Sequence, residues 1–482
     1  MALTSLLARL ARPVRRCAAL VLLLVLAALA AAGPAAADGV SQYADVSIAA
    51  SFGGNELTVV LRQEQSVPGP LQVDVIAHDP VHAAVLTLSV LASQGLPGAD
   101  TQGQATVRLV PGRPGTYPAS LFVDRTGPWE LDVADGQDTM RLPFQVLMPR
   151  AAPWERIAYP ALLVAGLLLL GVFAAAVCGR RRLAVPLAAL VAVALTVAST
   201  TALLSGDFTA TNAAGSPTEK LLVNADGTTA NGRAFADQLL STVPAAPQAG
   251  SAFALDLQLS DGASGAPIND LVVHHGALAH TVITSQDFTY FAHLHPVPVQ
   301  PGDLLLRLTL PRPGHYLVQT EITRVDSGSQ LLTTTLDVGG TAPSTSAQPA
   351  APQPGLDTAQ DSQVTLSPSR PVAGRPAEIT LHAGTAAAPE SDLQGWLGMS
   401  GHLFVRAPGS DFFGHVHETA SMAALAVPGA VIPDETVGQY GPLLHFVFSF
   451  PAPGRYPVWI QYERGFRIHT VALTVDVTGD TP

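Results

Sequence analysis

The chain has 482 residues, a formal net charge of −12, and only 13% charged residues against 48% hydrophobic ones. Soluble domains carry about 25% charged residues, so a single water-soluble globule is excluded. An acidic chain with no basic run longer than three residues also lacks the electrostatic footprint of a nucleic-acid binder. The two cysteines, Cys17 and Cys178, lie in or at the ends of apolar segments, which leaves the rest of the chain without a disulfide framework or a thiolate metal centre.

Residues 1–37 read as a secretory signal peptide. Arg9, Arg12, Arg15 and Arg16 precede the apolar run from Cys17 to Ala32, and Ala35-Ala36-Ala37 offers a cleavage site. Residues 39–148 then alternate apolar and polar positions in short runs, as in Leu71-Gln72-Val73-Asp74-Val75-Ile76 and Trp129-Glu130-Leu131-Asp132-Val133, separated by Gly, Pro and Asp. Short alternating strands with frequent turns predict a β-sandwich.

Two apolar runs follow, 157–178 and 183–204, each close to the ~20 residues a helix needs to cross a bilayer. Gly179-Arg180-Arg181-Arg182 joins them, and the positive-inside rule puts that loop in the cytoplasm and both flanks outside. Neither run holds a charged residue, so the hairpin reads as an anchor rather than a transport path. Residues 205–249 read as a tether. The short-strand texture returns at 250–338 and 363–478, and the Pro/Ala/Ser/Gln stretch 339–362 between them is a flexible linker.

All three modules share a turn: Arg113-Pro114-Gly115-Thr116-Tyr117, Arg312-Pro313-Gly314-His315-Tyr316 and Ala452-Pro453-Gly454-Arg455-Tyr456. Pro presets φ, Gly accepts φ > 0, and the Tyr can start a strand that faces the core. The last two modules match further. Asp270-Leu271, His280, Phe291, His293 and His295 align without a gap on Asp392-Leu393, His402, Phe413, His415 and His417 at a constant offset of 122. This is an internal duplication, interrupted afterwards by an insertion of about 18 residues in the last copy.

Twelve of the 14 histidines lie beyond residue 250, and six belong to two copies of one pattern, His-x12-His-x-His. Strand residues i and i+2 point to one face, so His293 converges with His295 and His415 with His417. If Pro408-Gly409 is a two-residue hairpin turn, His402 pairs across from His415 and all three imidazoles share a face. A one-residue slip sends His402 to the other side. Three neutral imidazoles can hold copper or zinc with a position left open, and Met399 can add a soft ligand. His274, His275, His315, His382, His445 and His469 read as core or edge residues, and His78 and His82 as loop residues.

Other chemistry has no support. His417-Glu418-Thr419-Ala420-Ser421 lacks the second histidine of HExxH, Gly398-Met399-Ser400-Gly401 is not a nucleophile elbow, and no phosphate or dinucleotide loop is present.

Residues 104–133, with Val123-Asp124-Arg125 and Gly127-Pro128-Trp129-Glu130-Leu131, resemble the FixH-like and YtkA-like family of extracytoplasmic domains. The last module, with Gly401-His402-Leu403, His415-Val416-His417, Tyr456-Pro457-Val458-Trp459-Ile460-Gln461 and His469-Thr470, is similar to secreted bacterial YtkA-like proteins. The resemblance implies immunoglobulin-like sandwiches in a family linked to copper handling or cytochrome oxidase assembly. The middle module departs from the pattern, with Thr320-Glu321 near where the last has Ile460-Gln461.

The expectation is therefore a mainly β protein of three immunoglobulin-like β-sandwich modules plus a two-helix transmembrane hairpin. It would be a membrane-anchored exported protein, not an enzyme, that binds a copper or zinc ion for storage, delivery or sensing and passes it to a metal-receiving protein. The expected ligands are His402, His415 and His417, with His280, His293 and His295 as a second site. The alternatives are a sandwich scaffold without metal and, more weakly, a three-histidine zinc hydrolase using Asp411 or Glu418 as base.

Overall fold

Valine- and leucine-rich runs between glycine and proline turns form antiparallel strands throughout the computed structural model. It describes residues 45–62, 67–92, 103–146, 155–203, 222–223, 229–230, 235–325, 327–341, 362–425 and 432–479. The proposed signal peptide, 1–37, lies outside them, as does most of the 339–362 linker.

The first sandwich packs one sheet of β1 (Val46–Phe52), β2 (Asn55–Arg62), β3 (Gly69–Ala77) and β6 (Gly115–Val123), in that order, on another. The second sheet runs β5 (Gln104–Leu109), β4 (Ala84–Ala92), β7 (Gly127–Ala134) and β8 (Thr139–Val146). Inward residues of both sheets, among them Val59, Val73, Leu88, Leu131 and the fully buried Trp129, make its core.

The second sandwich has one sheet ordered β9 (Ala236–Val243), β10 (Ala252–Asp261), β14 (Asp303–Thr309), β13 (Val297–Gln300). Its other sheet is ordered β12 (Phe291–Leu294), β11 (Ala279–Ser285), β15 (Gly314–Thr323), β16 (Ser329–Val338). The module thus begins at Ala236, inside the stretch read as a tether. The alternating Ala236-Asp237-Gln238-Leu239-Leu240 run is polar enough to pass for linker, yet it pairs with β10 along its whole length.

The third sandwich has β17 (Gln363–Ser367), β18 (Pro376–His382) and β21 (Leu443–Ser449) on one side. The other side is β20 (Phe413–His417), β19 (His402–Arg406), β22 (Gly454–Arg464) and β23 (Arg467–Val477).

The shared turn is a tyrosine corner in all three. The hydroxyls of Tyr117, Tyr316 and Tyr456 donate to the carbonyls of Arg113, Arg312 and Ala452, at 2.6, 2.8 and 2.8 Å, four residues back as in immunoglobulin-type sandwiches. Gly115, Gly314 and Gly454 take the positive φ that the turn requires.

Between the first and second sandwiches lie α1 (Glu155–Val177) and α2 (Arg181–Leu203), two helices long and apolar enough to cross a membrane. They belong to one compact unit, and the three sandwiches belong to another.

Candidate metal centre of two histidine triads

The three sandwiches meet at one corner. Ala49, Ala277, Trp396 and Leu397, drawn from all three, form a small buried cluster there. The β12-β11-β15-β16 sheet faces the β20-β19-β22-β23 sheet across Val282, Phe291, Phe404 and Trp459, and the duplicated histidines line the end of this interface.

Strand pairing brings each triad together, though not by the expected turn. His402 pairs with His417, not with His415, because β19 and β20 are joined by the loop 407–412 rather than by a two-residue turn at Pro408-Gly409. The register differs by two residues, an even number, so His402 keeps the face of His415 and His417. In the second sandwich the corresponding strands place His280, His293 and His295 together in the same way. Within each triad, one ring nitrogen from each histidine lies within 4.8 Å of the others.

The outer nitrogens are held by acceptors, and those acceptors fix the tautomers. His280 Nε2 donates to the carbonyl of His274 at 3.0 Å, and His402 Nε2 to the carbonyl of Trp396 at 3.2 Å. His293 Nδ1 donates to Gln461 Oε1 at 3.1 Å, and His415 Nδ1 to the Glu321 carboxylate at 3.0 Å. His295 Nδ1 is bound by Glu56 of the first sandwich.

In His280, His293 and His402, which burial keeps neutral, the nitrogen left over is a lone pair, since a neutral imidazole has one donor and one acceptor. These nitrogens point inward. His280 Nδ1 faces His293 Nε2 at 3.2 Å, acceptor against acceptor, and His402 Nδ1 faces His415 Nε2 at 3.5 Å. His295 Nε2 and His417 Nε2 are buried without a hydrogen-bond partner.

Burial, then the neighbouring histidines, pushes His280, His293, His402 and His417 well below the ordinary imidazole value, so the rings stay neutral. Burial would raise the Glu321 carboxyl, but the hydrogen bond from His415 outweighs it and keeps Glu321 ionised.

The two halves are related by an approximate twofold. Glu321 pairs with His280 on the adjacent strand and Gln461 pairs with His402, so these two occupy equivalent places, and each caps a histidine of the other module. His274 and Trp396, whose carbonyls serve as caps, are 122 residues apart, the offset of the duplication. The residues after them repeat the same left-handed turn, His275 and Gly276 at φ 47° and 77°, Leu397 and Gly398 at 55° and 76°. The turns touch: a Cβ on Gly276 would lie 3.0 Å from Leu397 Cα.

Sequence reasoning placed His274 and His275 among core and edge residues, but both adjoin the centre. The His275 ring lies 4.1 Å from that of His417, centroid to centroid, and burial lowers its pKa to about 3. Trp396 stands edge-on to His293, His295 and His402 at 5.3–5.8 Å, its indole N–H buried without a partner. Glu56, Glu321, Gln461 and Trp396 were not among the expected site residues; the Thr320-Glu321 departure from Ile460-Gln461 marked the place of Glu321 and Gln461 alone.

His78, read as a loop residue, is fully buried between the first and third sandwiches. Its Nδ1 meets Glu463 at 2.8 Å and its Nε2 meets Glu435 at 3.1 Å. With a carboxylate on each nitrogen the ring is an imidazolium clasp and offers no lone pair to a metal. Burial alone would lower its pKa, yet the two glutamates hold it well above the ordinary value.

Glu418, the candidate base, is spent as a helix cap: its carboxylate accepts from the amides of Ala420 and Ser421 and from Ser400 Oγ, at 3.1, 2.8 and 3.1 Å. Asp411 engages Gln319 only through its main-chain carbonyl, at 2.8 Å. His445 meets Glu378 and Thr380 on the third sandwich, and His469 stacks on Tyr462.

A family model described as a domain of unknown function (DUF8832) matches residues 235–339 and 357–479, the second and third sandwiches. No curated protein matches the chain. Among solved structures, the chain is similar to the FN1–FN3 domains of chicken CNTN1 (8% identity, 86% of this chain and 97% of that one, TM-score 0.14). It is also similar to a two-domain fibronectin type III segment of chicken tenascin (11%, 50% and 98%, TM-score 0.15). Latent PorU from Porphyromonas gingivalis matches at 10% identity over 86% of this chain, with a TM-score of 0.16, and the chain spans 32% of that protein.

Proposed function

We propose that the protein is a membrane-anchored, exported metal-binding protein whose cargo is copper, held for storage, delivery or sensing by His402, His415, His417 and by His280, His293, His295. One observation carries this reading: in each triad three imidazoles turn ring nitrogens into one buried space, within 4.8 Å of one another, and the lone pairs of His280 Nδ1 and His293 Nε2 face each other with no proton between. Lone pairs so placed repel, and buried acceptors without partners cost about 1–3 kcal/mol each. A cation removes both penalties. The donor set fits one: all-nitrogen ligands suit copper and zinc, with copper(II) the tighter of the two in the general affinity order. His280, His293, His295, His402 and His415 already carry on their outer nitrogens the acceptor partner that orients metal-bound histidines.

The reading does not include catalysis, since a hydrolytic zinc site needs a nearby base and Glu418 is engaged by its helix. The signal-like N-terminus and the Arg180–Arg182 loop support an extracytoplasmic location for all three sandwiches. Their joint assembly into one unit fits helices that return the chain to the side it left, whichever side that is. A YtkA-like origin and a metal-receiving partner belong to the same reading.

The test is metal analysis followed by anaerobic titration with Cu(I), Cu(II) and Zn(II) on the untagged full chain in detergent. We expect about two equivalents, one for each triad, with half lost in His415→Ala/His417→Ala and half in His293→Ala/His295→Ala. Wild-type protein that binds none of these ions more tightly than micromolar would make the sandwiches a scaffold and the histidines its packing.

A further inference from the structure

The two triads are not separate places on the molecule. Inside a triad the ring centroids stand 4.7–5.4 Å apart for His280, His293 and His295, and 4.6–5.7 Å for His402, His415 and His417. Across the interface His293 lies 5.8 Å from His415 and 6.1 Å from His402, and His280 lies 5.9 Å from His415. The gap between triads is thus nearly the spacing within one, and the six rings form a single shell.

From this we infer that the triads are the two halves of one dinuclear centre, whose ions are close enough to share a small bridging anion such as hydroxide. The inference rests on the metal-binding reading above. Protein two-metal sites hold their ions about 3.5–4 Å apart, and cations that close in a buried space need negative charge around them. One carboxylate stands behind each triad, Glu56 of the first sandwich at His295 and Glu321 of the second at His415. The approximate twofold gives the ions equivalent ligand sets, as expected of a pair assembled by duplication at an isologous contact. Phe404, 4.8 Å from His293 and 4.5 Å from His415, and Trp396 wall the space with aromatic rings, so only a small ligand fits between the ions.

Magnetic coupling separates a pair from two neighbours. The full chain in detergent is loaded with Cu(II) chloride, its copper is counted by metal analysis, and its spins are counted by electron paramagnetic resonance. The expected result is two coppers per chain with a signal well below two spins, because a shared ligand couples the ions antiferromagnetically. The His293→Ala/His295→Ala variant, left with one triad, calibrates the measurement at one copper and one full spin. Two coppers with two full spins, or one copper in the wild type, would overturn the pair while leaving metal binding intact. No copper at all would instead strike the underlying reading and the pair with it.

Discussion

At the scale of the residue, the approximate twofold supplies its own comparison. Glu321 and Gln461 sit in equivalent places and cap equivalent histidines, but only Glu321 brings charge. Glu321→Gln keeps an acceptor for His415 Nδ1 and gives the two equivalent places the same kind of side chain, so the fold should persist while the charge behind His415 is lost. Loss of an outer-shell carboxylate typically costs 10–100-fold in metal affinity. A competition titration should show a loss of that order at one of two sites. Unchanged affinity at both would mean that the carboxylate does not serve the centre. Trp396 offers an optical report on the same region, since its ring stands against three of the six histidines. Copper should quench part of the tryptophan fluorescence, and Trp396→Phe should remove most of that response while Trp129, in the core of the first sandwich, contributes none.

At the scale of the element, the recurring turn works as a structural clip, and its removal should be felt in stability alone. Tyr316→Phe deletes one hydroxyl bond to a carbonyl four residues back, and Tyr456→Phe deletes that bond together with one accepted from the Ala452 amide, each bond worth about 0.5–1.5 kcal/mol. Urea unfolding should register that loss with no change in bound metal. Tyr117 is more exposed, and its substitution should cost less.

These clips were legible in the sequence because a Pro-Gly-x-Tyr signature is local. The triads were legible because two-residue periodicity decides which face a histidine takes, and a register shift of two residues preserves it. What surrounds the triads was not legible. Glu56, 239 residues before the His295 it binds, carries no motif, and Gln461 reads as an ordinary strand residue. The meeting of the two triads depends on how whole sheets face each other, which no spacing within one module encodes. The strand Ala236–Val243 was missed for a simpler reason: an edge strand with a half-exposed, polar pattern looks like linker until its partner is known.

At the scale of the whole molecule, the first sandwich is far from the third in sequence yet is locked to it. The lock is His78, held between Glu463 and Glu435, with Thr58 Oγ1 3.0 Å from Glu435 and Asp79 paired to Arg467 at its edge. Glu435 comes from the segment that lengthens the last module, so the insertion adds the second carboxylate to the pair that His78 makes with Glu463. Burial pushes Glu463 up to about 7, and the glutamates raise His78, so both groups hold their protons more tightly in the folded protein than in the unfolded chain. Stability from such groups is complete below their unfolded values, near 4.5 for Glu463 and 6.5 for His78, and is lost as pH rises through the folded ones. The sandwich assembly should therefore loosen on the alkaline side, by up to about 1.4 kcal/mol per pH unit for each proton released. The Tm of the metal-free protein should fall as pH rises from about 4.5 to about 7, where Glu463 gives up its proton, and go on falling above 6.5 as His78 approaches its raised folded value. His78→Ala leaves two carboxylates buried without a cation, at a cost of about 3–5 kcal/mol, and removes the proton that His78 would release, so it should lower the Tm and flatten that slope together. A variant that melts lower yet keeps the wild-type slope would place the titrating group elsewhere. Because Glu56 reaches His295 only while the first sandwich is docked, the same alkaline loosening should weaken metal retention in the His280, His293 and His295 triad before it affects the other.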